Sequence, residues 1–276
     1  MKKIACLALS LTLFFTGQAQ LKTPAPSPLQ TIKQDFGLGT MEVSYSRPAV
    51  KGRKIFGDLV PFGNVWRTGA NSATTLTFSD EVSIGGVKIA PGKYGLLSIP
   101  DKSSWTIIIS KQTDVTSPAA YKQEMDVVRV NATSADLKYK IENFAIVIDN
   151  LKPNQCEIGL YWDKTKVSFT VETDVDTRIM QQIETAMKGD KAPYFNAAMY
   201  YMDNGKDLNQ ALSWFEKAAA ATPTAYWVHH QLANCLAKLG KKAEAKAAAT
   251  KSKELALAAK NMDYVKLNEK LLADLK

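Results

Sequence analysis

Between Ser46 and Ala73 the chain reads SRPAVKGRKIFGDLVPFGNVWRTGANSA. Arg47, Lys51, Arg53 and Arg67 bring four cations close in sequence to Trp66 and Asn71. A guanidinium presents a planar fork of donors that matches a carboxylate or phosphate, and an indole presents a face on which a ring or a cation stacks. Folded over one end of a scaffold, these six residues would form an anion-recognising pocket with an aromatic wall. A structural role is the competing expectation. The arginines would then bond the loop's own carbonyls and carboxylates such as Asp58, and Trp66 would belong to the core.

Other chemistry is poorly represented. His229 and His230 are the only histidines, and adjacent residues on a helix face different directions, so they do not form a ligand pair. The sequence contains no HExxH or CxxC pattern, and neither a metal nor a cofactor is expected. It lacks GxSxG, so a Ser-His-Asp site would have to borrow a histidine from the far half of the chain. The carboxylate pairs Asp80-Glu81 and Glu124 with Asp126 sit in polar, turn-like surroundings. Gly85-Gly86 and Gly37-Leu38-Gly39 do not open the strand-loop-helix unit of a phosphate loop. No catalytic residue is assigned.

The elements that must position the loop read as two kinds. Pro48, Pro61, Gly52, Gly57, Gly63 and Gly69 give residues 46–73 the character of a long ordered loop. On either side the hydrophobic period is two. Strands are predicted at 41–45, 74–78, 82–84, 87–89, 94–99 and 105–109, then at 127–130, 139–148, 156–161 and 166–171. Gly85-Gly86 predicts a two-residue hairpin turn, and Pro91-Gly92 a type II turn. This is an antiparallel β-sandwich or a related barrel.

Near residue 173 the period changes from 2 to 3.6 and stays there. Asp174 or Asp176 caps a first helix with an Ile179, Ile183, Met187 stripe. Ala211 and Ala245 lie 34 residues apart, the period of a tetratricopeptide unit. Tyr264, Leu267, Leu271 and Leu275 predict a last amphipathic helix. The fold class is thus α+β in two domains, an antiparallel β-sandwich (or related barrel) followed by an all-α tetratricopeptide-like array.

The first residues, MKKIACLALSLTLFFTGQAQ, have the charged start, short apolar run and small-residue end of a signal peptide. The expected division is a signal peptide at 1–19, a proline-bearing linker or arm at 20–34, the β domain at 35–172 and the helical domain at 173–276. The protein is expected to be exported, periplasmic or secreted, with no transmembrane segment in the remainder. The formal net charge is +8. Lys2 and Lys3 belong to the leader, and the rest spreads evenly over both halves, so nucleic acid is not expected as a partner.

Ser46-Arg47-Pro48, Lys51-Gly52-Arg53, Ile55-Phe56-Gly57, Leu59-Val60-Pro61, Trp66-Arg67 and Gly69-Ala70-Asn71 resemble the domain of unknown function 2911 family. Gly85-Gly86, Pro91-Gly92-Lys93-Tyr94 and Ile99-Pro100 extend the resemblance, which covers about residues 35–172. It implies export from a bacterial cell and brings no reaction, ligand or catalytic residue. The helical half resembles tetratricopeptide repeats more loosely, since His229 and Leu257 stand where the pattern has an aromatic and a proline. That resemblance implies protein contact.

Three functional expectations follow. The first is a non-enzymatic envelope protein whose β domain binds a small anionic or glycan ligand, with a protein partner docked on the repeats. The second is a hydrolase or isomerase on a polar or anionic substrate, with Asp58 as base. The third is a structural assembly protein.

Overall fold

The computed structural model describes residues 23–276, so the expected signal peptide lies outside the described residues. The chain divides into two compact units, one ending at Asp174 and the other beginning at Val175.

The first unit contains nine strands: β1 (Leu29–Phe36), β2 (Gly39–Ser46), β3 (Thr74–Phe78), β4 (Val82–Ile84), β5 (Val87–Ile89), β6 (Gly92–Ile99), β7 (Ser104–Ser110), β8 (Asp126–Lys152) and β9 (Gln155–Glu172). They form one sheet in the order β1-β2-β3-β6-β7-β8-β9-β4-β5, with every pairing antiparallel. The long strand β8 makes the architecture. Its first residues pair with β7 and the remainder pairs with β9, so the sheet bends back on itself. Alternate residues from both halves then share one core, including Met41, Tyr45, Leu96 and Ile107 on one side and Phe144, Ile158 and Val171 on the other. A fully buried side chain of this size contributes about 1.5–3 kcal/mol. Tyr45 ties the halves together: its hydroxyl accepts from the Ile146 amide at 2.9 Å and donates to Gln30 Oε1 at 2.9 Å.

Three expectations change here. Residues 29–34, expected within a linker, form most of β1, which pairs with β2 from Leu29↔Ser46 to Phe36↔Gly39. An edge strand needs only one bonded neighbour, and the polar run QTIKQD carries little hydrophobic alternation. The four predicted strands after residue 126 are two. Register shifts at Asp136/Ile141 and Ile141/Ala145, and a left-handed Asp163 (φ 52°), break the period within continuous strands. The Gly85-Gly86 hairpin forms as expected, with Ile84 opposite Val87 and both glycines at positive φ. Gly92 does not take the left-handed corner of a type II turn; it opens β6 with φ 154°.

The second unit contains six helices: α1 (Val175–Ala186), α2 (Tyr194–Asp203), α3 (Leu208–Ala221), α4 (Tyr226–Lys238), α5 (Lys242–Ala258) and α6 (Met262–Asp274). From α2 onward each helix packs on the next, and α4 also meets α2 and α6. Ala198, Ala211, Ala233, Ala245 and Ala249 are fully buried, because small side chains let paired helices approach closely. Helix α5 stops at Ala258, where Lys260 turns left-handed (φ 57°) and Asn261 N–H returns to the Ala256 carbonyl. The buried face of α6 differs from the expected stripe. Leu271 and Leu275 of that stripe pack on the core, but Val265 and Asn268 are also buried and Leu267 is exposed, because Asn268 is recruited into a polar cluster.

Candidate functional site

The 46–73 loop is held to the sheet at both ends. At its start the Phe144 amide donates to the Pro48 carbonyl at 2.9 Å and the Val50 amide to the Glu142 carbonyl at 2.8 Å. Its middle is a tight turn closed by Val60 N–H on the Ile55 carbonyl at 2.9 Å, and Val50, Ile55 and Val60 enter the main core. At its end Trp66 exchanges both backbone hydrogen bonds with Ser98 of β6, in the lane that β3 occupies a few residues later.

The segment that follows Trp66 is wound tightly. Thr68 is buried yet left-handed (φ 52°), a conformation costly for a β-branched residue. Its hydroxyl meets Ser98 Oγ at 2.9 Å and its carbonyl accepts from Thr74 Oγ1 at 2.5 Å, which holds the conformation in place. Gly69 follows with φ 155°, and a Cβ there would lie 3.1 Å from the Ser46 carbonyl. Its own carbonyl accepts the Trp66 indole N–H at 3.0 Å.

Beneath this loop lies a cavity of about 460 Å³. Its apolar wall includes Leu59, Pro61, Val65, Trp66 and Pro118, and Trp162 of β9 closes one side. Trp66 and Trp162 stack with centroids 5.8 Å apart and planes at 14°, and Phe56, Trp105 and Phe144 meet Trp66 edge-on. Arg53 and Arg67 supply the charge in the lining. The lining contains no Asp, Glu, His or Cys.

The structure sorts the six sequence-predicted residues into two sets. Arg53, Trp66 and Arg67 line the cavity, while Arg47, Lys51 and Asn71 do not. Arg47 Nε donates to the Phe144 carbonyl at 3.0 Å. The left-handed Lys51 is exposed and gives its amide to Glu142 Oε1 at 2.8 Å. Asn71 bonds the Ser27 carbonyl and Ser46 Oγ. Arg53 serves both roles, since its guanidinium also holds the Val50 and Ala49 carbonyls. Asp58 is exposed and lies outside the lining.

Arg67 and Trp162 share a further property. The Arg67 guanidinium bonds the Thr116 carbonyl through one terminal nitrogen. Its Nε and the Trp162 Nε1 are buried without a hydrogen-bond partner. Trp162, Ser27 and the 117–118 segment could not be assigned to the site from sequence. Trp162 reads as one more core aromatic, and only the pairing of β8 with β9 brings it under a loop some hundred residues earlier. Among the described residues no three His, Cys, Asp or Glu side chains gather as metal ligands would, and no helix is long and apolar enough to cross a membrane.

No curated protein and no solved structure matches the chain. A family model described as "Protein of unknown function (DUF2911)" matches residues 27–171, a span that includes every residue lining the cavity and the whole loop. By that match over more than half of its length, the chain belongs to the DUF2911 family.

Proposed function

We propose that the chain is an exported, non-enzymatic binding protein whose β unit takes a small ligand into the cavity beneath the 46–73 loop. The observation that carries this reading is the character of the lining. A cavity of about 460 Å³ lies within the range of small-molecule sites, about 300–1,000 Å³, which are mostly apolar with a few placed polar groups. The wall here is aromatic and aliphatic with two arginines, and it lacks the carboxylate, imidazole or thiol that acid–base or nucleophilic catalysis would use. The exposed position of Asp58 weighs against the hydrolase or isomerase reading in the same way.

The helical unit is proposed to be a tetratricopeptide-like array that docks a protein. Its support is the 34-residue spacing of the buried Ala211 and Ala245 and the exposed apolar residues Trp227, Leu257 and Met262 on successive helices. Replacing Trp227 and Leu257 by serine should abolish retention of such a partner in crosslinking from envelope extracts. Retention unchanged by both replacements would count against this face.

The cavity reading is tested by thermal shift of the purified protein against sugars, peptidoglycan fragments, nucleotides and organic acids, with Arg67→Ala in parallel. A ligand present at about 100 times its dissociation constant stabilises by about 2.7 kcal/mol. A rise in Tm that is lost in Arg67→Ala supports the site. A rise that survives the substitution places binding elsewhere.

A further inference from the structure

We infer that the cavity is built for a carboxylate joined to an apolar body, with Arg67 and Trp162 as the residues that take its two oxygens; this rests on the cavity being a binding site. Three observations converge on one wall.

Among the described residues, only Arg67 Nε, Trp162 Nε1 and Asp126 Oδ1 are buried side-chain atoms lacking a partner. The two donors of this set belong to residues lining the same cavity. Trp162 is 2% exposed, so its indole N–H is shielded from bulk solvent. A buried donor left without an acceptor is destabilising, a cost that a bound acceptor would remove.

The donors also fix the sign of the ligand. Both are N–H groups, which bond only acceptors. The lining adds Arg53 and Arg67 and no acidic side chain, so a negative charge entering the cavity meets two uncompensated cations. The remainder of the wall fixes the rest of the ligand. Leu59, Pro61, Val65, Trp66 and Pro118 offer apolar surface. A carboxylate presents two oxygens to two donors and leaves an apolar body for the wall.

Both donors are covered in this structure, so uptake includes a local adjustment. The side chain of Arg67 is half-buried and tied at its far end to the Thr116 carbonyl, and it would have to move to admit the carboxylate. Arg67 and Trp162 come from the loop and from β9, so neither segment alone makes the site.

The experiment compares 4-phenylbutyrate, octanoate and indole-3-propionate with their primary amides and with phenylpropyl phosphate. Tm and tryptophan fluorescence of the purified protein are the two readouts, since Trp66 and Trp162 line the cavity. The carboxylates are expected to bind at least tenfold more tightly than their amides. Trp162→Phe and Arg67→Lys should each weaken carboxylate binding about tenfold, the loss of one hydrogen bond to a charged group. Arg67→Lys keeps a cation and tests the guanidinium alone, so the outcome does not depend on how Trp162→Phe folds. Amides that bind as well as carboxylates would overturn the inference and leave the binding cavity intact. Tighter binding of the phosphate would overturn it in favour of a phosphate ester. No response to any probe would overturn the inference, while the cavity reading would stand or fall on the broader ligand screen.

Discussion

In the helical unit, His230, Ser252 and Asn268 are buried side by side and each finds its partners. Asn268 Nδ2 donates to Ser252 Oγ at 2.8 Å and to the Tyr264 carbonyl at 2.7 Å. Its Oδ1 therefore faces His230 Nδ1 at 2.8 Å, and that ring nitrogen must carry the proton. Ser252 Oγ donates in turn to the Tyr226 carbonyl at 2.7 Å. In the β unit, by contrast, Arg67 and Trp162 bury donors that meet no acceptor, beside open space. Both regions bury polar groups at a cost, but only one recovers it internally. The closed network links α4, α5 and α6 and fixes how they meet. On the binding reading proposed above, the unsatisfied donors await a complement from outside the fold.

The sharpest way to break this contrast is to remove the aromatic floor of the cavity. Trp66→Ala should destabilise the β unit by about 3–5 kcal/mol, because the indole is 9% exposed and packs against four aromatic rings. Urea denaturation followed by fluorescence would show it; a loss below about 1 kcal/mol would mean that Trp66 is a wall without a structural role.

The closed network comes next. Asn268→Leu keeps the volume but strands the His230 N–H and one Ser252 bond, and it should cost about 2–3 kcal/mol. Adding His230→Phe should restore part of that loss, since the His230 N–H is then no longer left without an acceptor. An additive double variant would mean that the pair does not act as a unit.

The alkaline limb of stability sharpens the comparison further. Burial pushes the Cys156 thiol up to about 12 from an ordinary value near 9. Burial and the hydrogen bond to Asp126 push the Tyr121 phenol up to about 12. In each case the folded chain keeps a proton that the unfolded chain releases. Stability is therefore fully present below about pH 9 and falls as the pH rises towards 12. Cys156 alone contributes about 1.4 kcal/mol per pH unit within that window. Urea midpoints at pH 8, 9 and 10 should decline only after 9, and Cys156→Ala should flatten the decline. Cys156 and Cys235, the cysteines among the described residues, are buried and free, so neither should react with a thiol reagent before unfolding.

The smallest effect separates a binding donor from a structural one. Arg67→Met loses the bond to Thr116 but also removes an unpaired buried donor, so stability should change by less than about 1 kcal/mol. A loss as large as that of Asn268→Leu would place Arg67 with the structural network.

Legibility in the sequence differed in the same two regions. The 3.6 period found the helices, and Asn268 was missed because an amide on a helix reads as solvent-facing until its partners are known. The cluster of cations and Trp66 singled out the loop that walls the cavity, yet only Arg53, Trp66 and Arg67 of six candidates line it. Arg47, Lys51 and Asn71 hold the loop in place instead, a distinction that spacing does not encode.

The amino-acid sequence by itself determined the division into a β part and a helical part, most of the strands, the Gly85-Gly86 turn and the membership of the family. These follow from periodicity, from the φ that glycine permits and from local motifs, all of which act over a few residues. Tertiary structure alone decided that residues 29–36 form an edge strand, that β8 bends one sheet around its main core, and that Trp162 and Arg67 line the same cavity. Those outcomes depend on pairings across as many as a hundred residues. Their energy lies in contacts that exist only once the sheet has closed.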